Sequence, residues 1–203
     1  MEISNKLKKE YKISHWRRIS GDGNCFYRGV ILQYIEFLIL KCIETKETKY
    51  IEALIKDIIS TMNSNTKDLE FEKTIYFLLC ILDSLQSNNS FDPFNILYKT
   101  ITTLSEIEMF LIFWLRIKLA NFLTDNLDLE TEDGFKMVET IPDIDLTSSE
   151  DQIKKYILNS LMEMDEFAEG YPIILTPLIL QININVYSID KQHGMNKFNS
   201  YPL

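Results

Sequence analysis

The stretch Gly21-Asp22-Gly23-Asn24-Cys25-Phe26-Tyr27-Arg28 holds the residue types and spacing that could do chemistry. A cysteine ends a glycine-punctuated turn, and an almost unbroken apolar segment follows from Phe26 to Leu40. That pattern mounts a nucleophile at the first turn of a buried helix. A helix N-terminus carries about half a positive charge and offers free N–H groups. Both favour negative charge at that place, and the N–H groups could hold the oxyanion of an acyl-transfer intermediate. Gly21 and Gly23 permit backbone angles that other residues avoid, and Asp22 and Asn24 can bond to their own local backbone. The competing reading is a small core cysteine, which Cys42 and Cys80 fit, each lying inside an apolar run with no turn before it. Cys25 differs in its preceding glycines, Asp and Asn, but spacing alone leaves both readings open.

The elements that must position this turn can be read from the surrounding pattern. Cys25 to Glu44 reads as a buried helix, because Phe26, Tyr27, Val30, Ile31, Tyr34, Ile35, Leu38 and Ile39 cover most of its circumference. Lys6 to Trp16 before it is a short amphipathic lead-in. Lys49 to Met62 is predicted as a second helix with Ile51, Leu54, Ile55, Ile58 and Ile59 on one face, and Asn63-Ser64-Asn65 breaks it. Asp68 is placed to cap a third helix through Leu85. After the polar Ser87-Asn88-Asn89-Ser90, Asp92-Pro93 has the form of an N-cap with proline at the first helical position, opening a short helix to Lys99.

Ser105-Glu106-Ile107-Glu108 matches a capping box and opens a helix to about Thr124, whose stripe of Phe110, Phe113, Trp114 and Ile117 reads as core. Thr147-Ser148-Ser149-Glu150 is a second box, with a helix to about Met164. Tyr171-Pro172 starts an apolar helix to Leu180, which Pro177 should bend or split. Ile182 to Ser188 then alternates apolar and polar, a strand with one buried face, and Lys191-Gln192-His193-Gly194 is a turn.

Composition bounds what the chain can be. Its 203 residues suit one domain with a sizeable core, and 46% hydrophobic residues argue against disorder. The apolar runs are interrupted too early to span a bilayer, as Arg116 breaks Phe110 to Leu119. No apolar stretch follows the first lysines to make a secretory signal. Three cysteines without paired spacing argue for a reducing compartment. Two histidines and no Cys/His cluster of zinc spacing leave no metal or cofactor expected. The net charge of −9 argues against a nucleic-acid partner. Basic residues gather in the lead-in (Lys6, Lys8, Lys9, Lys12, Arg17, Arg18). Asp125 to Asp151 is acidic, with Glu130, Glu132, Asp133, Asp143 and Asp145. That run reads as a solvated loop, with a surface attracting a basic protein as the alternative.

Asp22-Gly23-Asn24-Cys25-Phe26-Tyr27-Arg28 resembles the signature of the ovarian-tumour (OTU) cysteine proteases, which remove ubiquitin. The longer arrangement is similar to the otubain branch, over roughly residues 6 to 190. Lys8-Lys9-Glu10-Tyr11 through Arg17 resembles the basic otubain lead-in, and Trp114-Leu115-Arg116 a tract in the otubains' long helix. Met162-Glu163-Met164, Ile173-Ile174 and Ile182 to Tyr187 resemble the otubain succession of helix, short buried helix and strand. The resemblance implies an α+β, papain-like OTU fold, with a mostly helical lobe packed on a small C-terminal sheet. It implies a ubiquitin thioesterase or isopeptidase in which Cys25 attacks the carbonyl of ubiquitin's C-terminal glycine. It places Asp22 in the catalytic set, and Gly23 and Asn24 in the loop whose amides form the oxyanion hole. It implies ubiquitin or polyubiquitin as partner, a ubiquitin-conjugating enzyme as a further one, a monomer, and a cytoplasmic location with the nucleus as a second compartment.

A cysteine protease needs a base to take the thiol proton and return it to the leaving amine. In otubains that histidine lies on a strand near the C-terminus, in a Gly-His-Tyr-like context, which these residues do not contain. His193, in a polar turn, and His15, in the lead-in, read as exposed or capping imidazoles. One alternating strand also needs partners for its N–H and C=O groups. Residues 1–203 are therefore expected to be a single otubain-like domain, truncated at its C-terminus, with an incomplete sheet. The alternative is a catalytically inactive OTU-like module that binds ubiquitin or a ubiquitin-conjugating enzyme.

Overall fold

The computed structural model describes residues 19, 21–62, 69–87, 91–130, 134–141, 143–163, 168, 170–190 and 194–201, of which 140, 186–190 and 194–201 are described by backbone alone. The lead-in from Lys6 to Arg18 with His15, the Asp68 cap, and His193 in its turn lie outside the described residues.

Seven α-helices carry most of the described chain: α1 Cys25–Thr45, α2 Lys49–Met62, α3 Leu69–Gln86, α4 Pro93–Thr103, α5 Ser105–Asp125, α6 Glu150–Met162 and α7 Tyr171–Leu180. A 3-10 turn, Met137–Thr140, lies between α5 and α6, and strands β1 Ile184–Asp190 and β2 Gly194–Tyr201 follow α7. The described protein is thus mostly helical, as expected of the helical lobe.

The centre of the fold is α5, which packs against α1, α2, α3, α4, α6 and α7. A helix surrounded in this way must be apolar all round rather than on one stripe. Its buried residues include Ile107, Leu111, Ile112, Trp114, Leu115, Leu119, Ala120 and Leu123. Arg116 is buried among them, and its charge must be compensated there.

The amphipathic α2 buries Ile51, Leu54, Ile55, Ile58 and Met62 at helical spacing, while Ile59, expected on that face, is exposed. One position past Ile58 is about 100° around a helix, which carries Ile59 off the buried stripe. In α1 the burial is also one-sided toward its end. Ile35, Leu38, Ile39 and Cys42 are buried, whereas Phe37, Leu40 and Ile43 face outward.

Several expected boundaries need correction. Asp92 does cap α4, accepting from the Phe94 N–H at 3.0 Å, but the helix runs past Lys99 to Thr103. Only Leu104 separates α4 from α5. Ser105 is consequently the first helical residue, Leu104 takes the cap position, and the expected capping box does not form. The two acids of that motif are used elsewhere, Glu106 with Lys73 at 3.0 Å and Glu108 with Arg28 at 2.9 Å. The second expected box, Thr147 to Glu150, is displaced by two residues: Ser149 takes the cap and its N–H donates to Gln152 Oε1 at 3.1 Å, while Thr147 bonds to Asp145. Pro177 does not split α7. Its missing N–H removes the bond that would reach the Ile173 carbonyl, and the helix still continues to Leu180.

The acidic stretch is more than a solvated loop. Met137, Val138 and Ile141 are buried in the core, the Met137 N–H donates to the Leu129 carbonyl at 2.6 Å, and Lys136 pairs with Asp128.

The expected unpartnered strand has a partner. β1 pairs antiparallel with β2, from Ile184 opposite Tyr201 to Asp190 opposite Gly194. A bulge lies between Asn185 and Val186, which pair with Ser200 and Phe198, leaving Asn199 as the extra residue. This two-stranded sheet is the only one among the described residues.

Candidate functional site

Cys25 is the first residue of α1, half-buried and a free thiol. The turn before it is built by local chemistry. Gly23 has φ 83°, a left-handed conformation that glycine adopts without the clash of a Cβ. The Asn24 N–H donates to Asp22 Oδ1 at 3.2 Å, an Asx-type closure. The Arg28 N–H donates to the Asn24 carbonyl at 2.9 Å and forms the first helical bond of α1.

Two arginines then fix the turn from outside. Arg28 donates to both Asp22 oxygens, Nη1 to Oδ1 at 2.8 Å and Nη2 to Oδ2 at 2.9 Å. Its Nε lies 2.9 Å from Glu108 Oε2 in the first turn of α5. Hydrogen bonding from Arg28 holds the Asp22 carboxyl down to about 2, against the upward push of burial. Its two carboxylate partners in turn raise Arg28, the Asp22 hydrogen bond most of all.

The second arginine is Arg116 of α5. Its Nη2 donates to Asn24 Oδ1 at 2.8 Å, and its Nη1 to the Leu161 carbonyl in the last turn of α6 at 3.1 Å. The guanidinium carbon lies 4.1 Å from the centre of the Tyr27 ring, a cation–π arrangement. Asn24 and Arg116 are 0% and 1% exposed, so both are shut away from solvent. Burial pushes the Tyr27 hydroxyl up to about 12, against the nearby Arg116 charge.

Of the residues expected at the site, the structure brings Asp22, Gly23, Asn24 and Cys25 together in one turn. Asp22 is bound to the turn and to Arg28, so its carboxylate shapes the loop. The Asn24 amide likewise serves the turn, through Asp22. Arg116 and Glu108 were not legible as parts of the site. In the sequence Arg116 reads only as a break in an apolar run and as part of the Trp114-Leu115-Arg116 tract. A charged residue at an otherwise buried helical position is the signal that finds it. Cys42 is buried as expected, its thiol pushed up by burial, while Cys80 is only half-buried. No group of metal-ligating side chains exists among the described residues. No described helix is long and apolar enough to cross a membrane.

The site is thus a cysteine at the head of a buried helix, on a turn locked by two arginines. The family model described as Peptidase C65 Otubain matches residues 1–202. The chain belongs to the otubain family. No curated protein matches it. Membership accords with the resemblance carried by Asp22 to Arg28. It makes a cysteine-protease ancestry the frame in which this otubain's Cys25 turn is read.

Proposed function

We propose that this otubain is a deubiquitinase that uses Cys25 as its nucleophile. The observation that carries the reading is Cys25 at the first position of α1, directly after a turn held by Arg28 and Arg116. In the reaction, Cys25 Sγ bonds to the carbonyl carbon of ubiquitin's terminal glycine. The carbonyl oxygen gathers negative charge beside the first amides of α1. The bond to the substrate lysine nitrogen breaks, and that amine leaves carrying the proton that the Cys25 thiol gave up. Water then hydrolyses the thioester, returning the thiol and freeing the ubiquitin carboxylate. Asp22 does not act as the base, because Arg28 keeps its carboxyl a poor proton acceptor. Ubiquitin or polyubiquitin is the partner that this chemistry requires.

The test is reaction of the full chain with ubiquitin carrying a C-terminal electrophile, followed on a gel, together with cleavage of isopeptide-linked diubiquitin. The wild type should gain one covalent ubiquitin and cleave the dimer, and Cys25→Ala should do neither. Full isopeptidase activity in Cys25→Ala would refute the assignment. Ubiquitin binding by the wild type without adduct or cleavage would favour the inactive binding module instead.

A further inference from the structure

Asn24 stands where an Asn side chain ordinarily turns back to cap the amides of its own helix. Here it caps none of them. Its backbone, at φ −91° and ψ 6°, is in the bridge region rather than the extended conformation usual at that position. Its Oδ1 is held by Arg116 instead, at 2.8 Å. A planar guanidinium can serve two acceptors at fixed angles. Arg116 uses this to hold Asn24 before α1 and the Leu161 carbonyl at the end of α6 at once, while Tyr27 covers its face.

We propose that Arg116 is a positioning residue for the Cys25 reaction, acting through Asn24. Through its bond to the Asn24 carboxamide it fixes the backbone from which Cys25 projects, so that the first amides of α1 stay aimed at the acyl oxyanion. Donors that are already aimed lose nothing to reorganisation when charge develops, so the benefit falls on the chemical step. Arg116 is buried, so its loss should leave the gripping of ubiquitin's folded body alone. The inference rests on the reading of Cys25 as the nucleophile.

The experiment uses the full chain with ubiquitin bearing a C-terminal fluorogenic amide. Active sites are titrated with the ubiquitin electrophile, and folding is followed by thermal melts. Arg116→Met and Asn24→Ala should each lower kcat per titrated Cys25 about 10- to 100-fold, with KM within about threefold. The double variant should be no slower than the slower single, since both break one contact. Arg116→Lys, which can reach one acceptor but not fork between two, should fall in between. A folded Arg116→Met with wild-type kcat per titrated site would overturn the proposal. So would losses that multiply in the double variant, or a change confined to KM. If Arg116→Met does not melt cooperatively, Arg116→Lys and Asn24→Ala carry the same test. A wild type that the ubiquitin electrophile leaves unmodified overturns the nucleophile reading and this proposal with it. A modified wild type with an unaffected kcat in folded variants overturns the positioning role alone.

Discussion

Arg28 grips Asp22 with both ends of its guanidinium, at 2.8 and 2.9 Å, and turns its remaining Nε to Glu108 at 2.9 Å. One side chain thereby ties the turn before Cys25 to the first turn of α5. Asp22 lies six residues before Arg28, so the pair closes the loop over the start of α1 like a clasp.

The clasp has a pH signature. The folded value of Asp22, about 2, lies below the ordinary carboxylate value of about 3.9. Its stabilisation is therefore fully present above about pH 4 and is lost as pH falls through about 2. The Asp22 side chain is 39% exposed, so solvent screens the pair and its worth is about 1 kcal/mol or less. Asp22→Asn should lower the urea midpoint at neutral pH and lower it less near about pH 2. A gap between variant and wild type that is constant over that range would count against the clasp.

Gly23→Ala tests the turn itself. An alanine at φ 83° suffers a clash between its Cβ and the next carbonyl, costing about 1 to 2 kcal/mol. Denaturant unfolding should show that loss, and the adduct with the ubiquitin electrophile should form more slowly. Unchanged stability would mean that the turn adapts without cost.

Tyr27 gives an alkaline counterpart. Burial raises its hydroxyl to about 12, so its stabilisation is intact below about pH 10 and is lost as pH rises toward about 12. Tyr27→Phe should therefore gain stability relative to wild type on going from about pH 8 to about pH 11. Chemical denaturation at the two pH values measures this, and an equal difference at both would refute it.

The α4–α5 junction separates a cap that is used from one that is not. Asp92→Ala removes the acceptor for the Phe94 N–H and should cost about 1 kcal/mol. Ser105→Ala should stay within about 0.5 kcal/mol, because Ser105 is already inside α5. Equal losses in the two variants, read from urea midpoints, would show that Ser105 caps after all.

These junctions also show what the residues alone could tell. Lys49–Met62 and Tyr171–Leu180 were readable to the residue, the first from its clean helical spacing and polar break, the second from proline at its start. The end of α4 was not, because Thr102 and Thr103 carry no apolar signal, although Thr102 Oγ1 bonds back to the Tyr98 carbonyl at 2.7 Å. The false capping box at Ser105 arose because the motif is local, while the short Leu104 junction that excludes it is tertiary. β2 was missed because Gly194 to Tyr201 does not alternate, and antiparallel main-chain pairing needs no side-chain pattern. At the site, Asp22 to Cys25 could be read because the turn's chemistry is contiguous. The Arg116 contact could not, since it joins distant parts of the chain.

That distance has a consequence for synthesis. Arg116 lies 92 residues from Asn24 and 45 from Leu161. A chain growing from its N-terminus releases the Cys25 turn and its Arg28–Asp22 clasp early, yet Arg116 and the Leu161 carbonyl arrive only once α5 and α6 have been made and packed. Contacts of such separation form late, after the loops between them have closed. The nascent chain thus carries a thiol without its Arg116 brace, which is completed only when nearly four-fifths of these residues have left the ribosome.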